Sequence, residues 1–382
     1  MNVRQARIAG IPLATDLAPL VEIAPQLVLV FGSVKPLTAP GLLEILEEVF
    51  PQAELAGCTT AGEIGTGGVT DGEIVITALH FSQSRLRLAV TDLADMEDSR
   101  AAGRRLGRAL AEPELVHVLV LGQGVQINGS ALIEGFADSL PGGVMLSGGL
   151  AGDGGAFSRT WTLSRHGLSE RQIVAIGFSG RHVHLHHGSF HGWKPFGPVR
   201  KVTRCAGNVL YELDGQPALD IYKRYLGDYA KDLPASGLLF PFEMLGEDRS
   251  ALGLIRTILG VDEAAGSLIL AGNIVDCGYL RLMHASTDSL VDGAVAAAEE
   301  AFRPGTDAGE SLVLLVSCVG RKLVMGTRVD EEVEAVAAVF GPQACIAGFY
   351  SNGEISPMRD LLTCHLHNQT MTITHIAETA AS

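Results

Sequence analysis

Charge is scarce in this chain, and what there is leans one way. Only 19% of the 382 residues are Asp, Glu, Lys or Arg, and the formal net charge is −15. A protein that tracks nucleic-acid phosphates needs a basic face to release counterions, so that class is excluded. The one basic cluster, Arg200-Lys201 with Arg204, is small. Long apolar runs are missing too. Spanning a bilayer takes about 18 consecutive apolar residues, whereas Leu312 to Val316 is short and strand-like, so no membrane segment is expected. No hydrophobic region follows the amino terminus, which argues against a secretory signal. The six cysteines, at 58, 205, 277, 318, 345 and 364, have no paired spacing. Reduced thiols and a cytoplasmic location are the expectation. There is no phosphate loop, and Gly122-Gln123-Gly124 lacks the third glycine of a dinucleotide fingerprint.

Glycine and apolar residues are plentiful instead: 46 glycines beside 47% hydrophobic residues. The length suggests two domains or one large duplicated one. One glycine turn recurs. Ala56-Gly57-Cys58-Thr59-Thr60-Ala61-Gly62-Glu63-Ile64 and Ala347-Gly348-Phe349-Tyr350-Ser351-Asn352-Gly353-Glu354-Ile355 both read A-G-x-x-x-x-G-E-I, and Gly148-Gly149-Leu150-Ala151-Gly152-Asp153 is a shorter version. Each follows a strand, a helix and a second strand. The expected fold is therefore α/β and internally duplicated, with mixed sheets flanked by helices. Leu27 to Phe31 is a continuous apolar run, as in a strand covered on both faces. Leu42, Leu46, Val49 and Phe50 recur at helical spacing. Residues 1–26 read as a lead-in, 27–215 as the first domain and 216–382 as the second. Leu366 to Thr374 alternates as one last strand.

Loops at the carboxyl ends of strands are where open α/β sheets bind ligands. Gly62 and Gly353 would let a ligand approach the backbone. Glu63, Asp153 and Glu354 would accept hydrogen bonds from an amine, or else cap backbone N–H groups. Cys58 would need a base to act as a nucleophile, and no histidine lies near it in sequence. Five histidines fall at 182, 184, 186, 187 and 191; on a strand, His182, His184 and His186 share a face, either a metal site or a solvated surface. His191 stands beside Trp193. Near the other end, Cys364, His365 and His367 lack further ligands for a structural zinc, but non-covalent haem asks only for an axial ligand and an apolar pocket.

Six motifs in order now carry a resemblance: Gly57 to Ile64, Gly149 to Asp153, Gly192-Trp193 with Pro195, Glu212 to Gly215 with Pro217-Ala218, Gly348 to Tyr350 with Gly353-Glu354-Ile355, and His367-Asn368-Gln369-Thr370-Met371-Thr372. Together they resemble the FIST sensory family over residues 27 to 375. The resemblance implies a bacterial ligand-binding input protein in signal transduction and not an enzyme. A stand-alone chain of this length is similar to the NosP-type haem nitric-oxide sensors, which implies haem b and signalling in trans to a sensor histidine kinase or a cyclic-di-GMP synthase or phosphodiesterase. By matching position His367 would be the axial ligand, His191 with Trp193 the second choice. The rival within the family is a sensor of an amino acid or similar polar metabolite, read by Glu63, Gly62, Asp153, Glu354, Gly353 and Tyr350. A Cys58-dependent enzyme is the third reading. A homo-oligomer is compatible with all three.

Overall fold

The computed structural model describes residues 1–304, 310–358 and 361–379. Its strand order shows three equivalent units arranged around one axis, one more than the two halves that duplication implies. In each unit two parallel strands are joined through a helix: Leu27–Gly32 with Glu54–Thr59, Leu115–Gly122 with Met145–Leu150, and Ser311–Cys318 with Ala344–Ser351. A return strand lies antiparallel to the first of each pair: Ile74–His80, Gln172–Ser179 and Met371–Glu378. An edge strand completes each sheet on that side: Asn2–Ile8, Arg85–Asp92 and Val183–Phe190. The lead-in expected at 1–26 therefore contributes a sheet edge, with Val3 and Ile8 buried and Arg4 and Arg7 exposed between them.

The units are woven together by their hairpins. After its glycine turn, each unit sends a hairpin to the second parallel strand of a neighbour. Glu63–Gly65 pairs with Ala347 to Phe349, Thr162–Ser164 with Ala56 to Cys58, and the start of Gly353–Met358 with Gly148 to Leu150. The exchange closes on itself, giving three six-stranded mixed sheets. The apolar runs follow from their place. Leu27, Leu29 and Phe31 face a core shared with Leu119, Leu121, Leu312, Leu314 and Val316. Val28 and Val30 face the helix layer with Leu42 and Leu46.

Between edge strand Val183–Phe190 and helix Thr287–Ala301, the third unit carries an inserted lobe. Its nine-stranded sheet includes Arg200–Ala206, Val209–Leu213, Phe242–Leu245 and Tyr279–His284, packed against helix Ala218–Leu226. The division expected at 215 falls inside this lobe, where Glu212 and Leu213 pair with Pro217 and Gln216. The single last strand is corrected. Leu361–His367 belongs to the second sheet and Met371–Glu378 to the third, and Gln369, at φ 60°, reverses the chain between them.

Candidate functional site

The three glycine turns meet at the axis. The Ala61 N–H donates to the Tyr350 carbonyl (2.8 Å), Gly152 to Thr59 (2.9 Å) and Asn352 to Leu150 (3.1 Å), closing a ring of backbone hydrogen bonds. This fixes the equivalences: Gly57, Gly148 and Gly348 correspond, and so do Gly62, Asp153 and Gly353. Asp153 thus stands one place before the acids of the other two turns, and Gly154 occupies theirs. A Cβ on Gly57, Gly148 or Gly348 would collide with the carbonyl oxygen of its strand partner, Val30, Val120 or Leu315. Glycine is required there because the parallel strands approach each other so closely.

Glu63 and Glu354 are fully buried and already engaged. Glu63 accepts from Ser33 Oγ (2.8 Å), Thr60 Oγ1 (2.5 Å) and the Glu73 N–H (3.2 Å). Glu354 accepts from Ser351 Oγ (2.7 Å) and the Thr370 N–H (3.3 Å). Each acid ties its turn to the chain just ahead of the return strand. Burial raises the pKa of Glu63, and it pushes Glu354 up to about 8, against the lowering pull of Ser351. Asp153 accepts from the N–H groups of Phe157, Ser158 and Arg159, shaping its own loop. Gly62 packs beside Lys322, which donates to the Ala61 carbonyl (2.8 Å), pairs with Asp71 and lies over the Tyr350 ring.

Tyr350 leads to a buried ionic hub that the sequence does not signal. Its hydroxyl donates to Glu332 (2.6 Å), which also accepts from Ser317 (3.1 Å) and pairs with Arg321 (2.6 Å). Arg321 donates onward to the carbonyls of His191 (2.7 Å) and Leu290 (2.9 Å). Every charge in the hub is hydrogen-bonded, the condition under which a buried ion pair is tolerated. Only the offsets of Arg321 and Glu332 on neighbouring helices hint at it. Trp193 Nε1 donates to the Gln369 carbonyl (2.9 Å), and Gln369 Nε2 donates to the Leu238 carbonyl (2.9 Å). Gln369 thus ties Trp193 to Leu238 of the inserted lobe, a role that its place in the His367-to-Thr372 motif does not reveal.

The surroundings of His367 and His191 do not fit a haem. His367 is enclosed, its Nε2 lies 3.1 Å from the Ser356 carbonyl, and burial lowers its pKa to about 4. His191 Nδ1 accepts the Trp193 N–H (3.0 Å) and its ring stacks on Phe190. Burial brings its pKa to about 4 as well. Neither lines the apolar cavity of about 400 Å³ walled by Ile133, Leu140, Val144, Cys364 and His365, although Leu366, next to His367, does. Among the described residues no group of three His, Cys, Asp or Glu side chains is placed to hold a metal ion. His187 stacks on His117 across two sheets, at 4.9 Å between ring centres. Cys58 is fully buried, which drives its thiol pKa well up.

A second cavity, of about 530 Å³, opens where the loop after Asp153 faces the lobe. Gly155, Ala156 and Phe157 form one wall; Leu233, Leu238 and Ile258 form the other. Among the described residues no helix is long and apolar enough to cross a membrane.

Comparison with known proteins agrees with the motifs. The chain is 23% identical over 209 residues to an uncharacterized protein of Methanocaldococcus jannaschii, a match covering 52% of this chain and 40% of that protein, so less than half of the relative is represented. Among solved structures it is similar to a cyanuric acid hydrolase from A. caulinodans, at 11% identity and a TM-score of 0.39 over 99% of both chains. The expectation that the chain is not an enzyme is corrected on this finding and withdrawn, since the matched structure is a hydrolase; so distant a likeness transfers no activity. Family models for the FIST N domain and the FIST C domain match residues 26–216 and 218–357. On those two matches, in the order that the motifs follow, the chain belongs to the FIST family.

Proposed function

We propose that this chain is a sensory ligand-binding protein whose ligand is a small polar metabolite, such as an amino acid, held between the ring of units and the inserted lobe. The FIST domains supply the sensory assignment. The observation that carries the placement is the cavity of about 530 Å³ between the Asp153 loop and the lobe. Ligand sites favour such concave, mostly apolar seams between structural units. Asp232 at its rim and the backbone of Gly155 and Ala156 would meet the polar groups of the ligand, while Phe157, Leu238 and Ile258 would take its apolar part. The lobe wall is tied to the ring through Gln369 and Leu238. A ligand with different affinity for two settings of that contact would shift the balance between them, as signalling to a histidine kinase or cyclic-di-GMP enzyme requires.

The test is a thermal-shift screen of amino acids and related metabolites, followed by calorimetry on any hit. Leu238→Trp, which fills the cavity, is expected to keep the fold and abolish the response. A hit that binds Leu238→Trp as tightly as wild type would place the site elsewhere. A stoichiometric Soret band on adding haem, shifting with nitric oxide, would overturn the metabolite reading.

A further inference from the structure

Arg256 is a buried cation that pairs with no carboxylate among the described residues. It is 4% exposed and lies where the lobe meets the hairpin strand Leu361–His367. Its Nε donates to the Asn273 carbonyl (3.1 Å), and its Nη1 donates to the carbonyls of Ile255 (3.1 Å) and Leu366 (3.0 Å). A guanidinium has five N–H groups; three are used, and the two on Nη2 have no protein acceptor among the described residues. No carboxylate pairs with it among the described residues, whereas the other buried arginine, Arg321, has Glu332. Burial lowers the Arg256 pKa only to about 10, so the charge persists at neutral pH. Neighbours feel it: besides burial, its charge contributes to the lowered pKa of His365 and of His367.

Three neutral carbonyls satisfy only part of the guanidinium, and Nη2 is not enclosed, so its two hydrogens face a place that solvent or a ligand can reach. A net charge of −15 makes the absence of an acid here more telling, because acids outnumber bases elsewhere in the chain. The surroundings are polar. Asn273 Oδ1 contacts Asn128 Nδ2 (3.4 Å), and Asn128 caps the helix Gly129–Ala137 by accepting from Ala131 N. Gly272 packs against the guanidinium itself, where a Cβ would crowd Nε and Cζ.

We propose that Arg256 is the anchor of an anion site, taking the carboxylate of a small organic acid on its two free Nη2 hydrogens. The assignment does not depend on the cavity between the Asp153 loop and the lobe. It makes the seam between lobe and second sheet responsive to carboxylates by a charge-assisted hydrogen bond.

The experiment compares sodium acetate, succinate and L-glutamate with sodium chloride at matched ionic strength, using the full chain. Melting temperature and calorimetric binding are followed for wild type, Arg256→Met and Arg256→Lys. Wild type is expected to show a saturable shift of a few degrees with at least one carboxylate and none with chloride. Arg256→Met should fold, melt no lower than ligand-free wild type, and bind the carboxylate about 10- to 100-fold more weakly, the loss of one charged hydrogen bond. Arg256→Lys should recover part of the binding. Equal responses to carboxylate and chloride, an Arg256→Met protein that responds like wild type, or one that fails to fold while Arg256→Lys folds without carboxylate binding, would overturn the assignment. Leu238→Trp separates the two sites: it should keep the carboxylate response even if it loses the metabolite response.

Discussion

Glu354 shows what burial does to a single carboxyl group. The folded chain holds its pKa near 8, whereas an unfolded glutamate titrates near 4.3. Between those values the native state keeps a proton that the unfolded state has released, so stability falls as pH rises through this window. Its contribution is fully present below the unfolded pKa and gone above the folded one. Glu354→Gln, with the carbonyl of the amide accepting from Thr370 and its NH2 donating to Ser351, should remove this dependence. The stability of Glu354→Gln relative to wild type, read from urea unfolding at pH 5, 6.5 and 8, should rise by a few kcal/mol across that range. Identical slopes in both would show that Glu354 is not the proton carrier. The residue was legible in the sequence as part of A-G-x-x-x-x-G-E-I, but its environment was not. A glutamate after a glycine turn looks exposed until the strand exchange covers it.

At the scale of elements, strands and helices with strong periodicity were legible because burial on both faces leaves unbroken apolar runs, as in Leu27 to Phe31. Strands without a clean period were not. Asn2–Ile8 has none, since Arg4 and Arg7 fall on opposite faces, and the turn at Gln369 has neither glycine nor proline to announce it, so two strands of different sheets read as one. The glycine that packs the parallel pairs is the more informative position. Gly148, at φ 124°, has its Cβ direction filled by the Val120 carbonyl. Gly148→Ala should therefore cost on the order of 3 kcal/mol through forced separation of the strands. Gly142, with open space around it and no such φ, is the control, and Gly142→Ala should change stability by less than about 0.5 kcal/mol. Equal midpoints for the two variants in urea denaturation would refute the idea that the ring depends on this close approach.

For the whole molecule, the three turns were legible but the closed exchange of hairpins was not, because each hairpin pairs through only three or so residues and finds its partner in another unit. The lobe was hidden for a related reason: it interrupts the third unit between its edge strand and its first helix, so the repeat spacing gives no sign of where it begins. What the assembled fold imposes on the whole molecule is a sharp acid limit. His117 and His367 are buried and His187 and His191 partly so, and burial lowers the pKa of each, to about 4 for the last three named, His187, His191 and His367. For His117 and His187 a neighbouring histidine adds to the effect. The unfolded chain protonates these rings near 6.5, so their stabilising contribution is present above that value and is lost as pH falls through the folded pKa values. Each ring adds a slope of about 1.4 kcal/mol per pH unit between roughly 6.5 and 4. With four such rings set against the single opposite slope from Glu354, maximum stability falls at about pH 7. Guanidinium midpoints should drop steeply between pH 6 and 4.5, and His367→Gln, which keeps a polar side chain near the Ser356 carbonyl, should make the drop shallower by the share of one proton. If wild type and variant lose stability in parallel, His367 is protonated in the folded state as readily as in the unfolded chain, and the enclosure that sets it apart from a ligand-binding histidine does not hold in solution.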